Sequence, residues 1–108
     1  MAYDEGLAAR IRDRLDEVPH VEKKMFGGIA FMVNGHMTVG VNDARMMIRL
    51  DKPQHDDMMS RPHVSIMDFT GRPMKGWGYV SEDGCADDEV LDYWVERCVA
   101  HALSKKPK

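Results

Sequence analysis

The sequence predicts an α+β fold: an antiparallel sheet of about five to six strands packed with an N-terminal and a C-terminal helix. Three observations carry that prediction. Apolar residues recur at helical spacing near each end of the 108 residues, short β-branched and aromatic runs fill the middle, and glycine, asparagine and proline punctuate those runs.

Leu7, Ala8, Ile11, Leu15 and Val18 mark a helix from about Tyr3 to Val18, with Asp4 and Glu5 at its start and Arg10, Arg12 and Arg14 further along, as the helix dipole favours. Pro19 ends it. Arg12 with Asp16 and Arg10 with Asp13 stand where neighbouring turns meet, so the polar face reads as solvated and laced with weak ion pairs.

Val21 to Phe26 reads as a strand, Gly27-Gly28 interrupts it, and Ile29 to Val33 resumes. Phosphate loops run from a strand into a helix N-terminus, whereas these glycines join strand to strand, so a bend or bulge is the stronger reading. Asn34-Gly35 suits both positive-φ positions of a type I′ turn, which sets Val33 opposite His36. Uninterrupted counting then puts Ile29, Phe31 and Val33 on one face with His36, Thr38 and Gly40, and Ala30 and Met32 on the other with Met37, Val39 and Val41. Both faces are largely apolar, although a sheet with one wet face alternates apolar and polar. Either the helices cover opposite faces, or they share one and a second copy covers the other. The second arrangement is favoured, and it makes Ala30, Met32, Met37, Val39 and Val41 the candidate interface of a homodimer.

After a short loop at Asn42-Asp43, Met46, Ile48 and Leu50 form one face of a further strand and Arg49 belongs to the other. Pro53 opens a polar connector with one or two helical turns across 54–59, closed before Pro62. Val64 to Phe69 and Trp77 to Val80 read as strands separated by the turn-rich segment 70–76, and Ser81 to Gly84 reads as an acidic turn. Leu91, Trp94, Val95, Cys98 and Ala102 trace the apolar stripe of a helix from about Asp87 to Leu103. Residues 1–104 form one domain in this reading, and 105–108 a basic frayed tail.

The net charge of −3 opposes a phosphate backbone, so any nucleic-acid contact must be local. Cys85 and Cys98 match no zinc or redox spacing, no apolar run reaches membrane length, and the start lacks a signal-peptide pattern. A cytoplasmic protein without cofactor is expected. His55, Asp56, Asp57 and His63 are the candidate metal ligands, weighed against a solvated polar loop because they lack fixed spacing on a rigid element. Cys98 reads as a small buried hydrophobe and Cys85 as the exposed thiol, set among carboxylates that disfavour the thiolate. Lys24, Arg49, Arg72 and Lys75 are the material for a basic face, against scattered surface charge as the plainer reading. No catalytic constellation emerges. The many methionines read as core or interface filler.

Lys24-Met25-Phe26-Gly27-Gly28, then Phe31-Met32-Val33-Asn34-Gly35, then Gly71-Arg72-Pro73-Met74 before an aromatic strand and a closing helix bearing Trp94, resembles the TfoX N-terminal domain family across nearly the whole chain. The resemblance implies a sheet packed on terminal helices and a tie to regulation. Longer members include regulators of natural competence that act with the cyclic-AMP receptor protein and carry a second, C-terminal domain, for which this chain has no room. The expected function is therefore a non-enzymatic, dimeric regulatory or protein-interaction module. The alternatives are a nucleic-acid-associated regulator working through a DNA-bound partner, and a small-ligand or metal-binding domain.

Overall fold

The structure, a computed structural model, describes residues 3–25, 27–67, 71 and 74–107. Helix α1 (Glu5–Arg14) starts at Asp4, whose carboxylate accepts from the Leu7 amide at 3.0 Å. Strands β1 (Val21–Met25), β2 (Gly28–Val33), β3 (His36–Asn42) and β4 (Arg45–Arg49) follow as consecutive hairpins. A 3-10 turn (Lys52–Gln54) leads into the short helix α2 (His55–Met59), then β5 (Val64–Ile66) and β6 (Trp77–Val80). The acidic turn is one helical turn, α3 (Glu82–Cys85), capped by Ser81, and α4 (Asp88–Ser104) closes the chain. The six strands form one antiparallel sheet in the order β1-β2-β3-β4-β6-β5.

The Asn34-Gly35 turn is as expected, with φ of 57° and 80° and Val33 opposite His36. Gly27-Gly28 is sharper than a bend: Met25 pairs with Gly28, so β1 folds straight back on β2, with Phe26 of this link outside the described residues. Gly28 must lack a side chain, because a Cβ there would lie 1.9 Å from the Val41 carbonyl oxygen.

The register further along β3 corrects the uninterrupted count. Met32 pairs with Met37 but Phe31 pairs with Val39, so Thr38 is an extra residue on β3, a β-bulge. One inserted residue exchanges the faces of everything beyond it. Val39 and Val41 therefore join Ile29 and Phe31 beneath the helices, and Gly40 passes to the opposite face. There the Met47 methyl occupies the space that a Gly40 side chain would need.

All helices lie on one face of the sheet. Leu7, Ala8, Ile11 and Leu15 of the α1 region, Met58 of α2, Cys85 of α3, and Leu91, Trp94, Val95 and Cys98 of α4 cluster with Phe31, Val39, Val41, Met46, Ile48 and Val80. The opposite face carries a second cluster, Ala30, Met37, Met47, Met67 and Tyr79, onto which Met25, Met32, Met74 and Trp77 pack. Its central members are at most 4% exposed, so the chain itself closes this face. The apolar pattern on both sides of the hairpin thus finds its partner within one chain. A second copy is not needed to bury it.

The arginines of α1 do not pair within their helix. Arg12 forms a two-pronged pair with Glu22 of β1 at 2.7 and 2.8 Å, and Arg10 reaches Asp88 of α4 at 2.7 Å. Arg14 bonds Asp92 and Asp88 of the same helix. The reason is packing: α1 lies beside α4, whose acidic first turns face Arg10 and Arg14, so that edge of the polar face is a helix seam, while Arg12 and Asp13 stay exposed. Lys105 and Lys106, expected to fray, are held by their carbonyls: that of Lys105 accepts from Asn34 Nδ2 at 2.9 Å, and that of Lys106 lies 2.7 Å from His36 Nε2.

Candidate interaction surfaces

Three of the four candidate metal ligands, His55, Asp57 and His63, are engaged separately. His55 Nδ1 accepts from the Gly76 amide at 3.1 Å, and Asp57 binds Arg97 at 2.8 Å and Arg61 at 3.4 Å. The hydrogen bond from Arg97 holds the Asp57 carboxyl below its usual range. His63 immediately precedes β5 and lies 3.5 Å from Ser81 Oγ, an oxygen that caps α3 by accepting from the Gly84 amide. Among the described residues no three histidine, cysteine or acidic side chains are grouped to hold a metal.

Cys85 is buried at 3% exposure, which corrects its reading as the exposed thiol. Burial raises its pKa, and α3, unseen as a helix in the sequence, is what turns it inward. Cys98 lies wholly within the α4 stripe, and burial pushes its thiol up to about 12. Both cysteines are free, and both are poor nucleophiles.

The candidate basic face divides. Arg49 and Lys75 line one cleft of about 350 Å³ together with Lys52, Trp77 and Lys105. Lys24 stands on β1, three strands from β4. Arg72, with Pro73 and Phe26 of the family motif, lies outside the described residues. Lys52 escaped the sequence reading because it precedes Pro53 in a polar connector and only the fold brings it beside β4. The candidate interface divides as well: Ala30, Met32 and Met37 stay on the methionine face, while Val39 and Val41 pass beneath the helices at the bulge.

The sequence reading also missed the outer edge of β1. It is the first strand of the sheet, and residues 21–24 are all exposed. In an antiparallel ladder alternate residues of an edge strand turn their N–H and C=O groups outward. Glu22 is held by Arg12, whose hydrogen bond lowers its pKa, whereas neither Lys23 nor Lys24 has an ion-pair partner among the described residues. Val21, 58% exposed, lines a groove of about 390 Å³ with Pro19, His20 and Met32. The signal available was the run Val21-Glu22-Lys23-Lys24, whose charges are typical of a guarded edge.

The architecture is that of a small α+β domain in which the helices of the described residues lie on one side of the sheet. The chain belongs to the TfoX N-terminal domain family, whose model matches residues 13–102. That family is of regulatory type. No curated protein and no solved structure gives a significant match. No helix among the described residues is long and apolar enough to cross a membrane.

Proposed function

We propose that this protein is a non-catalytic regulatory module of the cytoplasm that takes an extended, acidic segment of a partner protein onto the outer edge of β1. One observation carries the reading: an exposed edge strand, with two lysines that have no ion-pair partner among the described residues and an apolar groove at its start. Backbone groups on such an edge supply affinity by adding a strand, and alternate side chains supply specificity. Val21 and Lys23 share a face, so the preferred segment places an apolar residue against Val21 and Met32 and a carboxylate near Lys23. Lys24 meets a second carboxylate from the other face. The family's regulatory character suggests a partner in transcription control, reached through protein contact rather than DNA, since the net charge of −3 opposes a phosphate backbone. Two free, buried thiols suit a reducing compartment.

Association with a second copy is the rival reading. Pairing β1 with β1 about a two-fold axis between Lys23 and Lys24 would set Lys23 of one copy opposite Lys24 of the other, and like charges directly opposite are destabilising. An acidic segment meets no such opposition.

The test uses fluorescence anisotropy with synthetic extended peptides that alternate valine with glutamate, or valine with lysine. The glutamate peptide is expected to bind, the lysine peptide is not, and the double variant Lys23→Glu with Lys24→Glu should reverse that order. Binding indifferent to peptide charge would overturn the proposal. So would light scattering that shows a dimer dissociated by Val21→Glu.

A further inference from the structure

We propose that the cleft between the end of β4 and the Lys75–Trp77 segment binds a compact phosphate ester carrying two or more phosphates, with a nucleoside diphosphate as the form that also uses Trp77. The walls are fixed by the fold. Arg49 and Trp77 are cross-strand partners, with the guanidinium 5.0 Å from the ring centre. The Leu50 amide donates to the Gly76 carbonyl at 2.7 Å, and the Gly76 amide donates to His55, so Gly76, the residue after Lys75, is held at the strand end. Lys52 rises from the 3-10 turn on the facing wall, and Lys105 comes from the C-terminal cap of α4.

Charge decides the ligand class. Four cations surround one carboxylate, Asp51, which Lys105 holds at 3.0 Å. Arg49, Lys52 and Lys75 have no ion-pair partner among the described residues. Four cations beside one carboxylate among the described residues, in a chain of net charge −3, favour an anion locally, and the surplus of three suits more than one phosphate. Lysine serves as a point charge to phosphate and arginine as a planar fork, so the set can grip a diphosphate from several directions. The cleft holds about 350 Å³, within the range of small-molecule sites. Trp77 is half-buried at its wall beside the Arg49 guanidinium, so a base carried on the phosphates would lie near the indole. This site does not involve β1, so it stands or falls independently of the proposed strand addition.

Isothermal titration calorimetry of the full chain with ADP, pyrophosphate and adenosine, at matched ionic strength in chloride, tests the proposal. ADP and pyrophosphate are expected to bind saturably and adenosine is not. Lys52→Ala and Lys75→Ala should each weaken binding about tenfold, as loss of one charge-assisted contact implies. Both lysines are exposed, and circular dichroism will verify that the variants fold. ADP binding more tightly than pyrophosphate, with a tryptophan fluorescence change on ADP that Trp77→Phe abolishes, assigns the nucleotide form. Equal binding with silent fluorescence overturns the role of Trp77. Absence of saturable binding by both anions, or binding indifferent to the two lysine substitutions together, overturns the site.

Discussion

The two faces of this sheet reach nearly the same degree of burial by different means. Beneath the helices, Phe31, Val39, Val41 and Ile48 pack against Ile11, Leu91 and Trp94. Branched and aromatic shapes with few rotamers meet a helix stripe that must fit them, and such a core loses contacts when any piece is removed. Among the described residues no helix reaches the opposite side. Met47 lies over Gly40, Met67 and Tyr79 close the centre, and Arg45 stands 3.9 Å above the Tyr79 ring. Methionine is unbranched and adapts to irregular gaps, which suits a face that must seal itself. The difference teaches that an apolar pattern on both sides of a strand need not signal a dimer. A sheet can acquire a second core from its own flexible side chains.

Substitutions separate the two faces. Phe31→Ala should have the largest effect, a loss of about 3–5 kcal/mol in urea unfolding, because an enclosed aromatic leaves a cavity that helices and sheet cannot collapse. A loss under about 1 kcal/mol would mean that the helix face is as pliable as the other. Met47→Leu should cost less than about 1.5 kcal/mol, since the methionine face tolerates volume-conserving exchange. A loss as large as that of Phe31→Ala would erase the distinction. Arg45→Ala should cost about 0.5–1 kcal/mol, the value of a cation above an aromatic ring near the surface, and should leave the core spectroscopically unchanged.

The smallest effect is a pH dependence at the helix-side rim. His101 on α4 is held below its ordinary pKa of 6.5, mainly by burial, with Asp51 opposing and Lys105, Arg49 and His36 assisting. Its Nε2 lies 3.7 Å from Asp51, without a hydrogen-bond partner. Because the folded state binds this proton less readily than the unfolded chain, stability is present above about pH 6.5 and is lost as pH falls through the depressed folded value. His101→Gln should flatten that part of the stability profile. The carboxyls of Glu22, Asp51, Asp57 and Asp88 are lowered by their cationic partners, so their contribution is lost only at more acidic pH. A profile unchanged by His101→Gln would show that its burial has no consequence for folding.

Much of this architecture was legible in local chemistry. The α4 stripe of Leu91, Trp94, Val95, Cys98 and Ala102 is buried as its spacing implies, and Asn34-Gly35 makes the turn that its tolerance of positive φ permits. The bulge was not legible, because nothing in Met37-Thr38-Val39 marks an extra residue. The competing registers differ only in which valines meet the helices, and tertiary packing makes that choice. For the same reason the exposed reading of Cys85 failed: four residues of acidic sequence look like a turn until α4 and β4 bury one side of them. Family motif and sheet were readable together in Met25-Phe26-Gly27-Gly28, yet the edge that it leaves open on β1 is visible only when the order of all six strands is known.

That open edge distinguishes the two ends of the sheet. The β5 end is a strand of three residues, whereas β1 offers five with lysines that discourage pairing with its own kind. Amide hydrogen exchange on the full chain, with and without the valine-glutamate peptide, addresses the proposed docking most directly. Strand addition predicts slowed exchange along Val21–Met25 on peptide binding, with the α4 amides unchanged. Peptide binding that leaves the β1 amides exchanging freely would contradict it.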